Sequence, residues 1–179
     1  MRSYLAFALL LLCLPAFSQE PRYAKKLAPY VASPGKVVDM MLEMARIKPG
    51  ETVYDLGSGD GRILIAAADR YKARAVGIEI SPALVTAATE QIKRAGLSDR
   101  ATVVLGDVLQ TNFSAADVVT IYMDLASNAK LRPQLEKYLK PGARVVSHDA
   151  EVPGWKPVRV EKTAEGDGHT IYLYQIPAK

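Results

Sequence analysis

The sequence predicts an α/β fold: a mostly parallel sheet with flanking helices, ending in a C-terminal β-hairpin. Three observations predict it. Short β-branched runs alternate with alanine- and leucine-rich segments of helical period between residues 34 and 147. A glycine-dense loop, Gly57-Ser58-Gly59-Asp60-Gly61, separates the first such run from the helix after it. Beyond residue 156 the pattern changes to two strand-like runs joined by a polar, glycine-containing loop. The chain has 179 residues, enough for one domain with a real core. Its 49% hydrophobic and 23% charged residues are those of an ordinary globular protein. The net charge of +4 is small and interspersed, too little to argue for nucleic-acid binding.

Met1-Arg2-Ser3, the apolar run Tyr4–Leu14 and the small residues Ala16 and Ser18 read as a secretory signal peptide cut after Ser18. The apolar run is shorter than the ~20 residues of a membrane span, so an uncleaved membrane anchor is the alternative. The expectation is therefore an exported protein, periplasmic or secreted. Cys13 is the only cysteine, so the cut chain has neither disulfides nor thiolate metal sites. Residues 19–33 read as an N-terminal arm, and 34–179 as the folded domain. Ser33-Pro34 opens the first helix, with Ser33 as N-cap, and its apolar positions recur to Ile47. Val53, Tyr54 and Leu56 form the first strand, Arg62–Tyr71 a helix, and Ala73–Ile80 the second strand. Ser81-Pro82 starts a helix that stops at Gly96. Thr102–Leu105 and Asp117–Tyr122 are strands three and four. Ala126–Leu139 is a helix containing Pro133, and Ala143–Ser147 the fifth strand. Only Ala150–Lys156 separates that strand from the hairpin Pro157–Thr163 and His169–Ile176, too little for a crossover helix.

Strand, glycine loop, helix is a context in which backbone N–H groups can approach a cofactor. The second strand ends in Glu79, 18 residues beyond Gly61, where a carboxylate can accept both hydroxyls of a ribose. The cofactor follows from the spacing. A dinucleotide fingerprint would place its third glycine where Arg62 stands; here it falls at Gly61, and Asp55 precedes Gly57 by two residues. A pyrophosphate disfavours a nearby carboxylate, whereas an ammonium and a sulfonium welcome one. Asp-x-Gly-x-Gly-x-Gly resembles the motif of class I S-adenosylmethionine methyltransferases, which have a Rossmann-like fold. The candidate cofactor residues are Asp55, Gly57, Ser58, Gly59, Gly61, Glu79, Ile80 and Asp107. Asp107, just after strand three, is placed to reach an adenine amino group or simply to form the turn.

Four stretches resemble one family more narrowly: Pro29–Pro34, Asp55–Arg62, Gly77–Ile80, and Leu139–Ser147 with Trp155–Val158 after it. From about Tyr30 to Ile176 the chain is similar to small class I methyltransferases related to the mitochondrial FAM173-type protein-lysine methyltransferases. Methyl transfer to a protein lysine is what that resemblance implies. Tyr122-Met123-Asp124 lacks the Asn-Pro-Pro-Tyr-type motif of amide and base methyltransferases. Tyr30, Tyr122 and Trp155 are candidate walls of a lysine channel, and Asp124 and Asp149 candidates to orient the amine. Tyr122 and Asp124 are thus expected at the reacting centre, and Tyr30, Asp149 and Trp155 at the acceptor. Packing is the alternative for each aromatic. His148 and His169 are too few and too distant in sequence to propose a metal site. Two other readings use the same fold: a nicotinamide-binding oxidoreductase, and an exported binding domain without turnover.

Overall fold

A computed structural model of the chain describes residues 27–163 and 168–178. The signal-peptide reading, most of the arm and the tip of the terminal hairpin lie outside the described residues. In chain order the elements are α1 (Gly35–Ala45), β1 (Thr52–Leu56), α2 (Arg62–Tyr71), β2 (Arg74–Glu79), α3 (Pro82–Arg94), β3 (Ala101–Leu105), β4 (Val118–Ile121), α4 (Leu125–Tyr138), β5 (Arg144–His148), β6 (Arg159–Lys162) and β7 (Thr170–Gln175).

The seven strands form one sheet in the order β3-β2-β1-β4-β5-β7-β6. The first five are parallel, and β7 pairs antiparallel with both β5 and β6. The order of the last strands, which the sequence left open, is β5-β7-β6. The ten residues 149–158 hold no helix; through them the chain passes one strand position, forms β6, and returns as β7 between β5 and β6.

The central strands β1, β4 and β5 are buried on both faces, as the middle of a parallel sheet requires. Val53 and Val118 face one core with Met41, Leu42, Leu64 and Ile92 of α1, α2 and α3. Leu56, Val119 and Val145 face the other with Leu131 and Leu135 of α4. On that second face no helix connects β3 to β4; Phe113 of the connecting loop is buried there instead, edge-on to Tyr138. Pro133 is held within α4.

One predicted helix start differs. Ser33 does not cap α1, whose first residue follows Pro34 and whose N-terminus has no side-chain cap. The Ser33 hydroxyl is buried and lies 3.0 Å from His148 Nδ1, across 115 residues of sequence. Strand order reverses between β1 and β4, since the chain runs outward through β2 and β3 and then returns to the other side of β1. Ligand crevices of open α/β sheets form outside the strand ends at such a point.

Candidate functional site

A cavity opens there, about 890 Å³ including the space that joins it to solvent. Its floor is the glycine loop and the tips of β1, β2 and β4; its roof is the extended segment 27–33. Nine predicted residues line it: Tyr30, Asp55, Gly57, Ser58, Gly59, Glu79, Ile80, Asp107 and Tyr122.

The glycine loop works differently from the expectation of free N–H donors. The amides of Gly57 and Ser58 both donate to the Ile78 carbonyl, at 2.8 and 3.1 Å. Gly59 N–H donates to Glu79 Oε2 at 3.0 Å, and Gly61 N–H to the Ser58 carbonyl at 2.9 Å. The loop is thereby pinned to β2, and these four amides are not aimed at an anion. The Ser58 hydroxyl turns against Gly77 of β2 and is buried without a hydrogen-bond partner. Gly61 does not line the cavity. A Cβ there would come within 3.1 Å of Ala88 Cβ, so this glycine lets α3 approach the start of α2. At Gly59, φ is +53° and an added Cβ would penetrate the Tyr30 ring, so glycine is what lets the roof rest on the floor.

Acids dominate the polar lining. Glu79, only 6% exposed, accepts from Gly59 N–H and, through Oε1, from Ser81 N–H at 2.8 Å. A carboxylate has about four acceptor sites, which leaves two for a ligand. Asp55, 4% exposed, accepts from Thr120 Oγ1 at 2.7 Å. Burial pushes its pKa up to about 7 against the Thr120 hydrogen bond, and the Glu79 charge adds to the rise. Asp107 has the turn-forming role expected of it. It forms its turn by accepting from Leu109 N–H at 2.9 Å and from the Gln110 side chain, and it still lines the cavity.

Sequence reasoning missed the arrangement around Asp60 and Arg62. Arg62 grips the Asp60 carboxylate with Nε and Nη2 and donates from Nη1 to the Ser33 carbonyl at 2.8 Å. Partial burial works against ionisation of Asp60, but Arg62 holds its pKa below the ordinary value. Burial and the Asp60 charge raise the pKa of Tyr30. At its other end the roof is tied by Ser127 Oγ donating to the Leu27 carbonyl at 2.7 Å. The Pro29–Pro34 segment is thus a strap clamped at both ends over the cavity. Its only sequence signal was the resemblance of that segment.

Asp124, Asp149 and Trp155 stand outside the cavity. Trp155 donates from Nε1 to Glu136 at 3.0 Å and packs edge-on against Tyr174, partly buried against the core on the α4 face. Packing is its observed role. Asp124 is the N-cap of α4: Oδ1 accepts from Ser127 N–H at 2.7 Å, which holds its pKa below the ordinary value. Asparagine caps a helix as well as aspartate does. Asp124→Asn is therefore expected to keep cofactor affinity and turnover, while Asp124→Ala lowers the melting temperature; a large loss of turnover in the asparagine variant would restore the catalytic reading.

Asp149 has a neighbourhood of its own beside Tyr122. The Tyr122 ring stacks on His148 at 3.8 Å, and burial, followed by the Asp149 charge, raises its hydroxyl pKa. The two histidines judged too distant in sequence are adjacent in space: His148 Nε2 and His169 Nδ1 are 2.9 Å apart. The β5–β7 pairing brings them together, because His148 ends β5 and His169 precedes β7. Burial lowers the His148 pKa to about 4, so it is neutral at physiological pH.

The donor set fits S-adenosylmethionine. Asp55 offers a buried carboxylate for an ammonium, Glu79 two free acceptor sites for a diol, and Asp107 an acceptor for an adenine amino group. It does not fit a dinucleotide, because the loop amides that would cradle a pyrophosphate are already paired and the lining is acidic. The sequence profile of the ANTKMT methyltransferase domain matches residues 55–159. The chain is 46% identical to a "Protein-lysine N-methyltransferase" of Saccharolobus islandicus, over 83% of this chain and 93% of that protein. It is 34% identical to the "Adenine nucleotide translocase lysine N-methyltransferase" of Mus musculus, over 98% of this chain and 79% of that one. The crystal structure of a protein named RNA methyltransferase from Salinibacter ruber, in complex with S-adenosyl-L-homocysteine, superposes with a TM-score of 0.79. Its sequence is 45% identical, and the match covers 83% of this chain and 95% of that one.

Proposed function

The chain belongs to the ANTKMT methyltransferase family and is an S-adenosylmethionine-dependent methyltransferase; from that premise we propose that its methyl acceptor is a lysine side chain of a protein. The observation that carries this reading is the 46% identity, across 83% of this chain and 93% of the other, to a relative named for protein-lysine methylation.

When bound, the cofactor supplies a methyl group made electrophilic by a sulfonium. The chain's own residues have three tasks. Asp55, Glu79 and Asp107 would hold the ligand's ammonium, diol and adenine ends, and so orient its methyl group. Tyr30, Tyr122 and Met123 line the same cavity and would form the walls around the incoming amine. A lysine attacks only as the neutral amine, and desolvation against such walls lowers its pKa, so its proton passes to solvent as the side chain enters. Orientation of the nucleophile in line with the methyl supplies roughly 7–11 kcal/mol of the barrier reduction. No general base is assigned.

A second reading, RNA as acceptor, draws on the name of the Salinibacter protein. The small net charge of +4 speaks against it. The two are separated by incubating the full chain with methyl-labelled cofactor and cell extract from its source. Lysine methylation is expected to give label that resists ribonuclease, is lost to protease, and appears as methyllysine after acid hydrolysis. Label lost to ribonuclease alone would overturn the proposal.

A further inference from the structure

We propose that His148, Asp149 and His169 form a binding site for one divalent transition-metal ion of the zinc class. Three atoms define it: His148 Nε2, His169 Nδ1 and Asp149 Oδ2. His148 Nε2 and His169 Nδ1 are 2.9 Å apart, His169 Nδ1 and Asp149 Oδ2 2.9 Å, and His148 Nε2 and Asp149 Oδ2 3.2 Å.

Hydrogen bonds among the three atoms do not satisfy all three edges of this triangle at once. With no proton on the three atoms, three lone pairs converge. With one proton on either imidazole nitrogen, the edge between the other two atoms sets lone pair against lone pair. With both nitrogens protonated, each can donate to the carboxylate, but two N–H groups then face each other across 2.9 Å. A cation resolves all three edges at once. The circle through the three atoms has a radius of about 1.7 Å, so an ion at the ~2.0–2.1 Å of zinc–nitrogen and zinc–carboxylate bonds reaches every one from just above their plane. Two nitrogens and one oxygen, with a side left open, is a donor set of zinc and its neighbours rather than of magnesium or calcium.

The supporting shell has the form metal ligands need. A ligating histidine uses one nitrogen for the ion and the other for a hydrogen-bond partner that fixes its tautomer. His148 Nδ1 has such a partner in Ser33 Oγ, at 3.0 Å. The second oxygen of Asp149, Oδ1, accepts from Thr170 N–H at 2.9 Å, which leaves Oδ2 for the triangle. Asp149 is held at φ +60°, a left-handed conformation uncommon outside glycine, and that backbone aims its carboxylate at β7. His148 is fully buried beneath Tyr122, and Tyr122 also lines the cofactor cavity, so the ion would stand behind the cavity wall.

The test is metal binding by the full chain, stripped with a chelator and then titrated with zinc against a chromophoric competitor. Cobalt(II) serves as a spectroscopic stand-in. One ion per chain is expected, with a submicromolar dissociation constant and a cobalt spectrum in the visible range. His169→Ala, whose side chain is partly exposed and whose folding is checked by circular dichroism, is expected to weaken binding at least about 100-fold. Asp149→Asn is the second variant and is expected to weaken it as well. Ser33→Ala, which touches no ion, is expected to cost about tenfold. Failure of the wild-type chain to retain zinc or cobalt at micromolar concentration would overturn the site, as would equal affinity in the wild-type, His169→Ala and Asp149→Asn chains.

Discussion

Glu79→Ala is expected to weaken S-adenosylhomocysteine binding by at least about 100-fold and to lower the melting temperature of the free protein. Glu79 joins the glycine loop to the cavity. Its two oxygens accept from Gly59 N–H and Ser81 N–H, and its remaining acceptor sites face the cavity. Hydrogen bonds to a charged group contribute roughly 1.5–3 kcal/mol each. Alanine removes those that hold the loop as well as those available to the ligand, and leaves the Gly59 amide, buried under Tyr30, without a partner. Glutamine does not rescue the site. One end of its amide is a donor, so it would face either Gly59 N–H or Ser81 N–H with N–H against N–H. Calorimetric titration of the wild type and of both variants measures this. A glutamine variant that binds within threefold of the wild type would mean that the carboxylate's contacts to the loop do not set the affinity.

The fold was legible because its signals are local. The switch from strand to helix at Arg62, the helix start at Pro82 and the hairpin all follow from period and turn residues within a few positions, and the elements appear at those places. The placing of two acids in the cavity was legible because the family spacing fixes Asp55 and Glu79 at neighbouring strand tips. What was not legible depends on partners far apart in sequence. Ser33-Pro34 has the local form of a helix cap, but its hydroxyl is taken by a histidine 115 residues away. His148 and His169 meet only because β7 inserts beside β5, and that strand order could not be read from a short linker. Trp155 follows β5 by seven residues, a spacing compatible with a channel wall, but the 149–158 loop turns it onto Tyr174 and Glu136. The glycine loop misled in a subtler way. Its conformation was predicted, but the destination of its amides was not, because that is set by where the Ile78 carbonyl and Glu79 lie in the neighbouring strand.

Asp55→Asn is expected to make the free protein more stable above neutral pH and, at the same time, to weaken cofactor binding severely. The two effects have one cause. Asp55 is buried, and its pKa of about 7 in the folded chain lies above the ordinary 3.8. Between those values the native state therefore holds more protons than the unfolded chain. Stability falls with pH wherever the native state binds the extra proton. The contribution of Asp55 is thus fully present below about pH 4, declines as pH rises, and is lost above about 7. Asparagine keeps the acceptor for Thr120 Oγ1 and carries no charge, so it escapes this loss. The ligand's ammonium reverses the balance, since a buried carboxylate that is costly alone becomes a partner for a cation. Wild-type affinity for S-adenosylhomocysteine should therefore rise between pH 5 and 8, with proton release on binding below pH 7. In the asparagine variant affinity should be low, and its rise over this range and the proton release should both be greatly reduced. Calorimetry in two buffers of different ionisation enthalpy reads the proton release directly, and thermal unfolding at pH 8 reads the stability. If the variant bound as tightly as the wild type, the ammonium would lie elsewhere. If it were less stable at pH 8, the carboxylate would already be compensated in the free protein, and the cost attributed to its burial there would not exist.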